Sequence, residues 1–320
     1  MSTLPWVEKY RPTQLSEIKS HSDVISTIKK FMDQDEFPDL LLYGPPGTGK
    51  TSTILCCCQE MFGPSYQTMV IHLNASDERG IDVVRQRIKD FSNAQTCLNL
   101  GKFKLVVLDE ADAMTEDAQS ALQQVIQQSR QNTRYCLICN YVTKIIPSLR
   151  SRFVIMRYSP LDDKEVTRLL TKIIKSEELK VHKEAIQAIL YIARGDARKA
   201  INLLQSCVLH KKTIHKIDIY RVSSKPDAQI FHQQIFNLLH LPFKEAVVSL
   251  QNWLSETGVS LIDFMKIFHY EFLQYNLPDK MLEVLLPSLA EIEYHLCFSH
   301  TVSIQLHSIV AAFCNARQLQ

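Results

Sequence analysis

The stretch LLLYGPPGTGKTS at residues 40–52 constrains the fold of this chain more than any other feature. An apolar run typical of a buried strand leads into a loop with the spacing G-x-x-x-x-G-K-[ST], and a helical pattern follows. In such a loop, backbone N–H groups close around phosphates at the start of a helix, the lysine reaches the β- and γ-phosphates, and the hydroxyl binds Mg²⁺. A glycine-rich turn that binds nothing is the alternative, but both flanks favour phosphate binding. The candidate nucleotide-binding residues here are Gly44, Pro45, Pro46, Gly47, Thr48, Gly49, Lys50, Thr51 and Ser52.

Two acidic residues, Asp109 and Glu110, end another apolar run at residues 105–108. Ligands of an open parallel sheet collect at the carboxyl ends of its strands, so we expect both acids beside the phosphates. Asp109 is predicted to bind magnesium together with Thr51, and Glu110 is predicted to polarise the attacking water. Solvated surface carboxylates are the alternative. Asp112, two residues further on, is predicted to be structural.

The apolar runs predict an α/β domain followed by all-α domains. Five short runs, at residues 40–43, 69–73, 105–108, 135–139 and 154–158, are continuous, which is typical of parallel strands covered on both faces. Residues 1–158 are therefore predicted to form one nucleotide-binding domain with a parallel sheet. After Asp162 the strand signals disappear, and amphipathic segments predict a small helical domain at 159–222 and a third, helical domain at 223–320.

Apolar stripes on the C-terminal segments predict a helical core, with docking onto related bundles as the alternative. The stripes are Ile235, Leu238 and Leu239, and Leu261, Phe264, Met265 and Phe268.

The letters D-E-A-D at residues 109–112 are those that name a large group of RNA helicases. Such helicases need two stacked nucleotide-fold domains with the site between them, and this chain has room for one. The helical second half therefore argues against that group. An ATPase with a single such domain obtains its second catalytic surface most simply from a neighbouring subunit.

Composition excludes several classes of protein. The 320 residues carry a formal net charge of +2, so nucleic-acid contacts must come from local patches. The polar N-terminus and the lack of a long apolar window predict a protein on the cytosolic side. The nine cysteines are predicted to be free thiols in a reducing compartment, with zinc at Cys136 and Cys139, or at His295, Cys297 and His300, as the alternative.

Five longer motifs resemble the small subunits of replication factor C, the loader of the sliding clamp, within the AAA+ class. The similarity runs nearly from end to end of the chain. The motifs are PWVEKYRP at 5–12, LLLYGPPGTGKTSTI at 40–54, LNASDERGIDVVR at 73–85, LDEADAMTEDAQSAL at 108–122 and CLICNYVTKIIPSLRSR at 136–152.

The resemblance implies roles for residues that carry no signal by themselves. Val7, Tyr10 and Arg11 are expected to surround the adenine and ribose. Asn140 matches sensor 1, a side-chain amide that orients water or contacts the γ-phosphate. Arg198 in GDARKA matches sensor 2, which places a guanidinium from the helical domain on the nucleotide. Without the resemblance, a surface salt bridge is the alternative for Arg198.

Arg152 matches the arginine of the family's Ser-Arg-Cys motif, which reaches the ATP of the adjacent subunit. The third position of that motif is Phe153 here, a departure expected to alter the packing behind the finger. A second departure lies at residues 121–127, where the family carries Ala-Leu-Arg-Arg and then a glutamate. The residues that take those three polar places are Gln123, Gln124 and Gln127.

DNA contact is expected from the charged segment SDERGIDVVRQRIKD, through N–H groups and cations that bind phosphates without reading bases. The candidate DNA-binding residues are Arg79, Gly80, Ile81, Arg85 and Lys89. Taken alone, such a charged helical face is more often merely solvated.

The resemblance implies an ATPase subunit of a ring-like hetero-pentamer, with ATP or ADP and Mg²⁺ as cofactors. Its expected partners are the other replication factor C subunits, the sliding clamp (PCNA), primer-template DNA and alternative large subunits. It is expected in the nucleus, in DNA replication and repair. The rival interpretation is a structural subunit that binds nucleotide, hydrolyses little, and contributes Arg152 and a helical collar to the same complex.

Overall fold

The structure, a computed structural model, describes residues 4–18, 20–34, 37–75, 81–93, 103–129, 132–210, 213–223, 227–271, 277–298 and 302–318, without the side chains of 81–85, 93, 210, 228, 229 and 270. Contacts between Cα atoms divide the chain into two compact units, Met1–Thr213 and Ile214–Gln320. The boundaries of the three predicted domains stay a prediction. Within the described ranges, no helix has both the length and the apolar character needed to cross a membrane.

The first unit alternates strands and helices. Its strands are β1 (Leu40–Tyr43), β2 (Val70–Asn74), β3 (Lys104–Asp109), β4 (Thr133–Cys139), β5 (Val154–Arg157) and β6 (Lys180–Val181), and β7 (Thr213–Ile214) lies at the boundary of the units. Its helices are α1 (Trp6–Lys9), α2 (Ser22–Asp33), α3 (Lys50–Phe62), α4 (Tyr66–Met69), α5 (Ile81–Asn93), α6 (Glu116–Ser129), α7 (Pro147–Arg150), α8 (Asp163–Ser176), α9 (Lys183–Ala193) and α10 (Ala197–His210).

A five-stranded parallel sheet in the order β2-β3-β4-β1-β5 forms the centre of the first unit and confirms the predicted sheet. The register pairs Tyr43, the last residue of β1, with Cys139, the last of β4. It also pairs Asn74 with Asp109 at the ends of β2 and β3. The loop after β1, the acids at the end of β3 and the residue after β4 therefore lie at one edge of the sheet.

Helices cover both faces of this sheet. Leu40 and Leu42 point to one face, where they pack in a cluster with Ile54 of α3. Leu41 points to the other face and packs in a cluster with Leu122 of α6. Because both faces are buried, every position of β1 up to Leu42 can be apolar, which explains the continuous apolar run in the sequence.

Helices α8, α9 and α10 follow the sheet, in the part of the chain where amphipathic segments predict helices. Helix α8 starts with a capping box, in which Asp162 and Glu165 satisfy each other's backbone N–H groups. Two strands of two residues each, β6 and β7, also lie after residue 162, so the expected absence of strands there is wrong. Runs of two residues carry no measurable period, and sequence patterns miss them.

The second unit is helical. Its helices are α11 (Lys216–Ser223), α12 (Ala228–His240), α13 (Phe243–Thr257), α14 (Leu261–Glu271), α15 (Asp279–Phe298) and α16 (Val302–Arg317). The apolar stripes that predict a core are confirmed, since Ile235 and Leu238 of α12 and Phe264 and Phe268 of α14 are fully buried in one cluster. The short helix α11 was not predicted, because it has only a weak amphipathic pattern.

Candidate active site

The glycine-rich loop joins β1 to α3 and touches the start of α10. Gly47 has a φ of +68°, and a Cβ atom placed on it would lie 1.8 Å from Asp196 Oδ1. The backbone N–H of Ala197 donates a hydrogen bond of 3.1 Å to the Gly47 carbonyl. Asp196 also accepts a hydrogen bond of 3.0 Å from the N–H of Lys199, which caps the helix. Glycine at position 47 therefore permits direct contact between the loop and the segment that carries Arg198.

Lys50 lies inside this loop with 7% of its surface exposed. Its Nζ donates to the carbonyls of Gly44 and Pro45, both at 2.7 Å, and to Asn140 Oδ1 at 3.1 Å. Burial lowers the pKa of the Lys50 ammonium, against the attraction of Asp109. A cation held among neutral oxygens and partly stripped of water is well suited to bind an anionic phosphate.

Thr51 and Asp109 form a second contact at the same edge of the sheet. Thr51 Oγ1 donates to Asp109 Oδ2 at 2.7 Å. His72 of β2 adds a nitrogen, Nε2, at 3.9 Å from the same oxygen. Burial would raise the pKa of Asp109, but the nearby His72 imidazole and the hydrogen bonds from Thr51 and the Glu110 N–H outweigh it and lower the pKa. The carboxylate therefore stays ionised, beside a hydroxyl, as a hard oxygen site for Mg²⁺ requires.

Glu110 follows in a left-handed backbone conformation, with a φ of +55°, and its side chain is exposed. Its N–H donates to Asp109 Oδ1 at 2.9 Å. A non-glycine residue in this conformation costs about 1–2 kcal/mol, and such strain is concentrated at functional sites. Glu110 is therefore a strained position directly beside Asp109.

Asp112 has the structural role that the sequence predicts. Its Oδ2 accepts hydrogen bonds of 3.1 Å from the N–H groups of Asn140 and Tyr141. The short turn after the acids therefore fixes the backbone of Asn140, while the side-chain amide of Asn140 contacts Lys50.

The N-terminal segment contacts residues after the loop and in the helical region. Arg11 pairs with Glu8 at 2.9 Å, and its Nε lies 3.4 Å from the Oγ of Ser52 on α3. The Tyr10 hydroxyl donates to Glu177, just after α8. Val7 is half-buried. The contact with Glu177 was not predicted, since no sequence pattern links a lone carboxylate to a tyrosine so far away along the chain.

Arg198 lies in the first turn of α10 and is exposed. Its charge adds to the lowering of the Lys50 pKa, behind the larger effect of burial. The guanidinium is thus within electrostatic reach of the phosphate-binding lysine. Its predicted contact with nucleotide stays a prediction.

The segment that ends at Arg152 follows β4 and α7. With the Gln127 amide oriented so that its oxygen faces the guanidinium, Gln127 Oε1 accepts from Arg152 Nη2 at 2.7 Å and from Nη1 at 3.3 Å. Phe153, the departure from the Ser-Arg-Cys motif, is buried in the sheet cluster that contains Leu149. Gln124 is exposed and Gln123 is half-buried on α6.

The predicted DNA-binding residues are described only in part. Arg79 and Gly80 lie outside the described residues, and for Ile81 and Arg85 the structure describes the backbone of α5 but not the side chains. Lys89 is half-buried on the same helix. The DNA-binding assignment stays a prediction.

The two cysteines of the C-x-x-C pattern lie in β4 and are buried. Burial raises the pKa of the Cys139 thiol to about 12 and that of Cys136 well above its ordinary value. Zinc binds the thiolate, so these positions are chemically unfavourable for a zinc site. Cys297 is exposed, and it is a free thiol as the sequence predicts.

A nucleoside triphosphate with Mg²⁺ fits the residues that the sheet edge brings together. The loop offers positive-φ glycines and a buried lysine for phosphate oxygens, and Thr51 with Asp109 offers oxygen ligands for the metal. The combination of loop, acid pair and strand-end amide defines the class of P-loop nucleotide-binding proteins.

The family comparison agrees with this class. Residues 40–161 match the family described as AAA, the ATPase family associated with various cellular activities. Helices and sheet are similar to those of the Thermotoga maritima RuvB Holliday junction branch migration motor, with a TM-score of 0.55 and 16% identity over 84% of this chain and 99% of that one. At that identity the likeness concerns the fold alone.

Curated relatives are similar over nearly the whole chain. Probable replication factor C subunit 5 of Caenorhabditis elegans is 40% identical over 99% of this chain and 89% of its own length. Replication factor C subunit 3 of Oryza sativa is 42% identical over 98% and 87%, and replication factor C subunit 5 of Homo sapiens is 40% identical over 99% and 93%. The chain belongs to the replication factor C subunit family of AAA ATPases. Within it, GIDVVRQRIKDF, AEIEYHL and IQLHSIVAAF resemble the subunit 5 versions of these segments.

Proposed function

We propose that this chain is an ATP-hydrolysing small subunit of a replication factor C complex. In this function, ATP binding orders a ring of subunits that opens the sliding clamp and holds primer-template DNA, and hydrolysis then releases both. The single observation that carries the proposal is the cluster at one edge of the sheet, in which Lys50 contacts Asn140 and Thr51 contacts Asp109. Similarity to replication factor C subunits along the whole chain supports assembly with other subunits of that complex.

Each residue of this cluster has a chemical role in the proposal. Lys50 binds the β- and γ-phosphates and neutralises charge that develops on them during transfer. Thr51 and Asp109 hold Mg²⁺, which supplies further charge neutralisation on the phosphate oxygens. Glu110 accepts a proton from the attacking water. The water oxygen bonds to the γ-phosphorus while the bond between the γ-phosphorus and the β-phosphate oxygen breaks. Asn140 orients that water.

Two further sets of residues complete nucleotide binding in the proposal. Val7, Tyr10 and Arg11 surround the adenine and ribose, and the contact of Tyr10 with Glu177 supports a fixed position for this segment. Arg198 binds the phosphates from the helical region, supported by the direct contact of the α10 start with Gly47. ATP would thus bind the sheet and helical regions of the first unit together.

Arg152 acts on a neighbouring subunit in the proposal. Its guanidinium stabilises the charge of the transition state in the adjacent site, an effect that reaches about 10³ to 10⁵ in rate for such fingers. Arg79, Gly80, Ile81, Arg85 and Lys89 bind DNA phosphates, and the complex works in the nucleus in replication and repair. Alternative large subunits are further partners of the same small subunit.

A second candidate is a structural subunit that binds nucleotide but hydrolyses little. Three observations favour it: Phe153 fills the core behind the finger, and Gln123 and Gln124 replace arginines of the family pattern. The intact phosphate-binding cluster favours hydrolysis.

Substitution of Glu110 separates the two candidates. In a complex reconstituted with clamp and primed DNA, Glu110→Gln should slow ATP turnover and leave a clamp stalled with its loader. Glu116→Gln is the matched control, because it removes the same charge from an exposed glutamate at the start of α6. Turnover by Glu110→Gln at the control rate would support the structural candidate.

A further inference from the structure

The residues that lead to Arg152 form a compact finger segment, residues 146–152. Within this segment, the N–H of Ser151 donates to the Pro147 carbonyl at 3.0 Å, and the N–H of Arg152 donates to the Leu149 carbonyl at 3.2 Å. Leu149 has 1% of its surface exposed and anchors the segment in the core below the sheet. The backbone of Arg152 is therefore fixed, and its long side chain remains to be positioned.

Helix α6, which begins six residues after Glu110, fixes the start of the finger segment through a buried glutamine. Gln119 Oε1 accepts from the N–H of Ile146 at 2.8 Å, and its Nε2 donates to the carbonyl of Lys144 at 2.9 Å. Gln119 has 1% of its surface exposed, so these hydrogen bonds satisfy an otherwise buried amide.

The same helix contacts the end of the segment through Gln127. Both terminal nitrogens of the Arg152 guanidinium donate to the one Gln127 oxygen, at 2.7 and 3.3 Å. The Gln127 amide must turn its oxygen to Arg152, because in the opposite orientation its NH₂ group would face the N–H donors of the guanidinium. Two residues two helical turns apart on α6, Gln119 and Gln127, thus hold the segment at both ends.

We propose that Gln127 is a positioning residue that holds the Arg152 guanidinium ready for the triphosphate of the adjacent subunit. The inference rests on the proposed role of Arg152 in trans. A free arginine side chain samples many rotamers, and ordering it costs up to about 2 kcal/mol. Gln127 limits that sampling before the neighbouring site forms. Because the amide is neutral, it orients the guanidinium and leaves its formal charge available for phosphate.

Exposure makes this role separable from folding. Gln127 is exposed and Arg152 is half-buried, so their hydrogen bond competes with water and contributes little to stability. A variant at position 127 should therefore fold and assemble as the wild type does. Gln128, the exposed neighbour on the same helix, offers the same side chain about 100° around the helix axis as a matched control.

The test isolates the adjacent site. In the reconstituted complex with clamp and primed DNA, the water-activating glutamates of all other ATP-binding subunits, Glu110 of this chain included, are changed to glutamine so that every site still binds ATP and one site turns over. Gln127→Ala should lower kcat there by about tenfold, the lower end expected for a hydrogen bond to a charged group, with KM for ATP unchanged. Gln127→Glu, which keeps an acceptor oxygen but adds a negative charge beside the guanidinium, should restore only part of the rate, and Gln128→Ala should match the wild type.

A double variant completes the test. If Gln127 acts through Arg152, then Gln127→Ala combined with Arg152→Ala should be no slower than Arg152→Ala alone, whose loss should be about 10³-fold or more. Wild-type kcat for Gln127→Ala, while Arg152→Ala is slow, would overturn the positioning role and leave the finger assignment intact. Wild-type kcat for Arg152→Ala would overturn both.

Discussion

In the proposed function, two parts of the first unit contribute to catalysis, and they are held in different ways. In the phosphate-binding cluster, Lys50 is buried and contacts three oxygens, and Thr51 and Asp109 contact each other. In the finger segment, the Arg152 side chain contacts an exposed neutral amide on Gln127. The first part is formed by contacts within the chain, whereas the second is expected to bind the triphosphate of an adjacent subunit. We therefore expect the chain to bind nucleotide by itself and to depend on its neighbour for rapid hydrolysis.

Among changes to the phosphate-binding cluster and its loop, the largest effect is expected from substitution of Lys50. Lys50→Met removes the cation that reaches the phosphates and should lower turnover at this chain's own site by about 10² to 10³, as loss of one preorganised electrostatic group does. Nucleotide binding at that site should weaken as well, because the lysine contacts the phosphates before and during transfer. The measurement is ATP binding and single-turnover hydrolysis by the complex.

Lys30→Met provides the control for this prediction, since Lys30 is an exposed lysine on α2. It should bind and hydrolyse ATP at the wild-type rate. Equal activity of Lys50→Met and Lys30→Met would show that the buried lysine is not part of the site.

A smaller effect is expected from Gly47, where the loop meets the start of α10. In Gly47→Ala the new Cβ would lie 1.8 Å from Asp196 Oδ1, and the residue would keep a φ of +68°. We expect a loss of about 2–4 kcal/mol in the free energy of unfolding, from backbone strain of about 1–2 kcal/mol together with the clash. Chemical denaturation of the purified chain measures it.

Gly258→Ala separates the two contributions, because Gly258 has a φ of +67° and a Cβ added there would meet no atom within 4 Å. Its loss should be the backbone strain alone, about 1–2 kcal/mol. If both variants lose the same free energy, the close contact between the loop and Asp196 contributes nothing.

The smallest effect is a dependence on pH. The pKa of Asp109 is lowered in the folded chain, so its ionised form stabilises the fold above the ordinary pKa of 3.8, and this contribution disappears as pH falls through the lowered pKa. The difference in unfolding free energy between the wild type and Asp109→Asn should be constant above about pH 5 and change by about 1 kcal/mol on acidification. A difference that stays constant down to about pH 2, below the ordinary range of a carboxyl, would contradict stabilisation of the Asp109 carboxylate by its hydrogen bond with Thr51.

The phosphate-binding cluster is also the part that the sequence predicts best. The loop, Lys50, Thr51 and the acids belong to contiguous motifs whose geometry follows from a strand, a turn and a helix, so local pattern is sufficient. The parallel sheet follows similarly from continuous apolar runs. Asp112 was predicted to be structural, although its bonds to Asn140 and Tyr141 were not foreseen.

Contacts between distant segments could not be predicted. Nothing in the sequence pairs Asp196 with Gly47, or Gln127 with Arg152, because a single polar residue on an exposed helix face has many possible partners. The sequence does not predict α11 because its amphipathic pattern is weak, or β6 because two residues are too few to show a period. These contacts and short elements depend on how distant segments pack in the folded chain, which local sequence patterns do not show.

In the proposed function, this chain's ATP becomes reactive when a cation of a neighbouring subunit completes the site. The most direct measurement compares the single-turnover rate of the isolated chain, shown to be monomeric, with the rate of the same site in the complex, taken as the difference between wild-type and Lys50→Met complexes. We predict that the isolated chain binds ATP but hydrolyses it at least about 10³-fold more slowly. Equal rates for the monomer and the assembled site would contradict the claim.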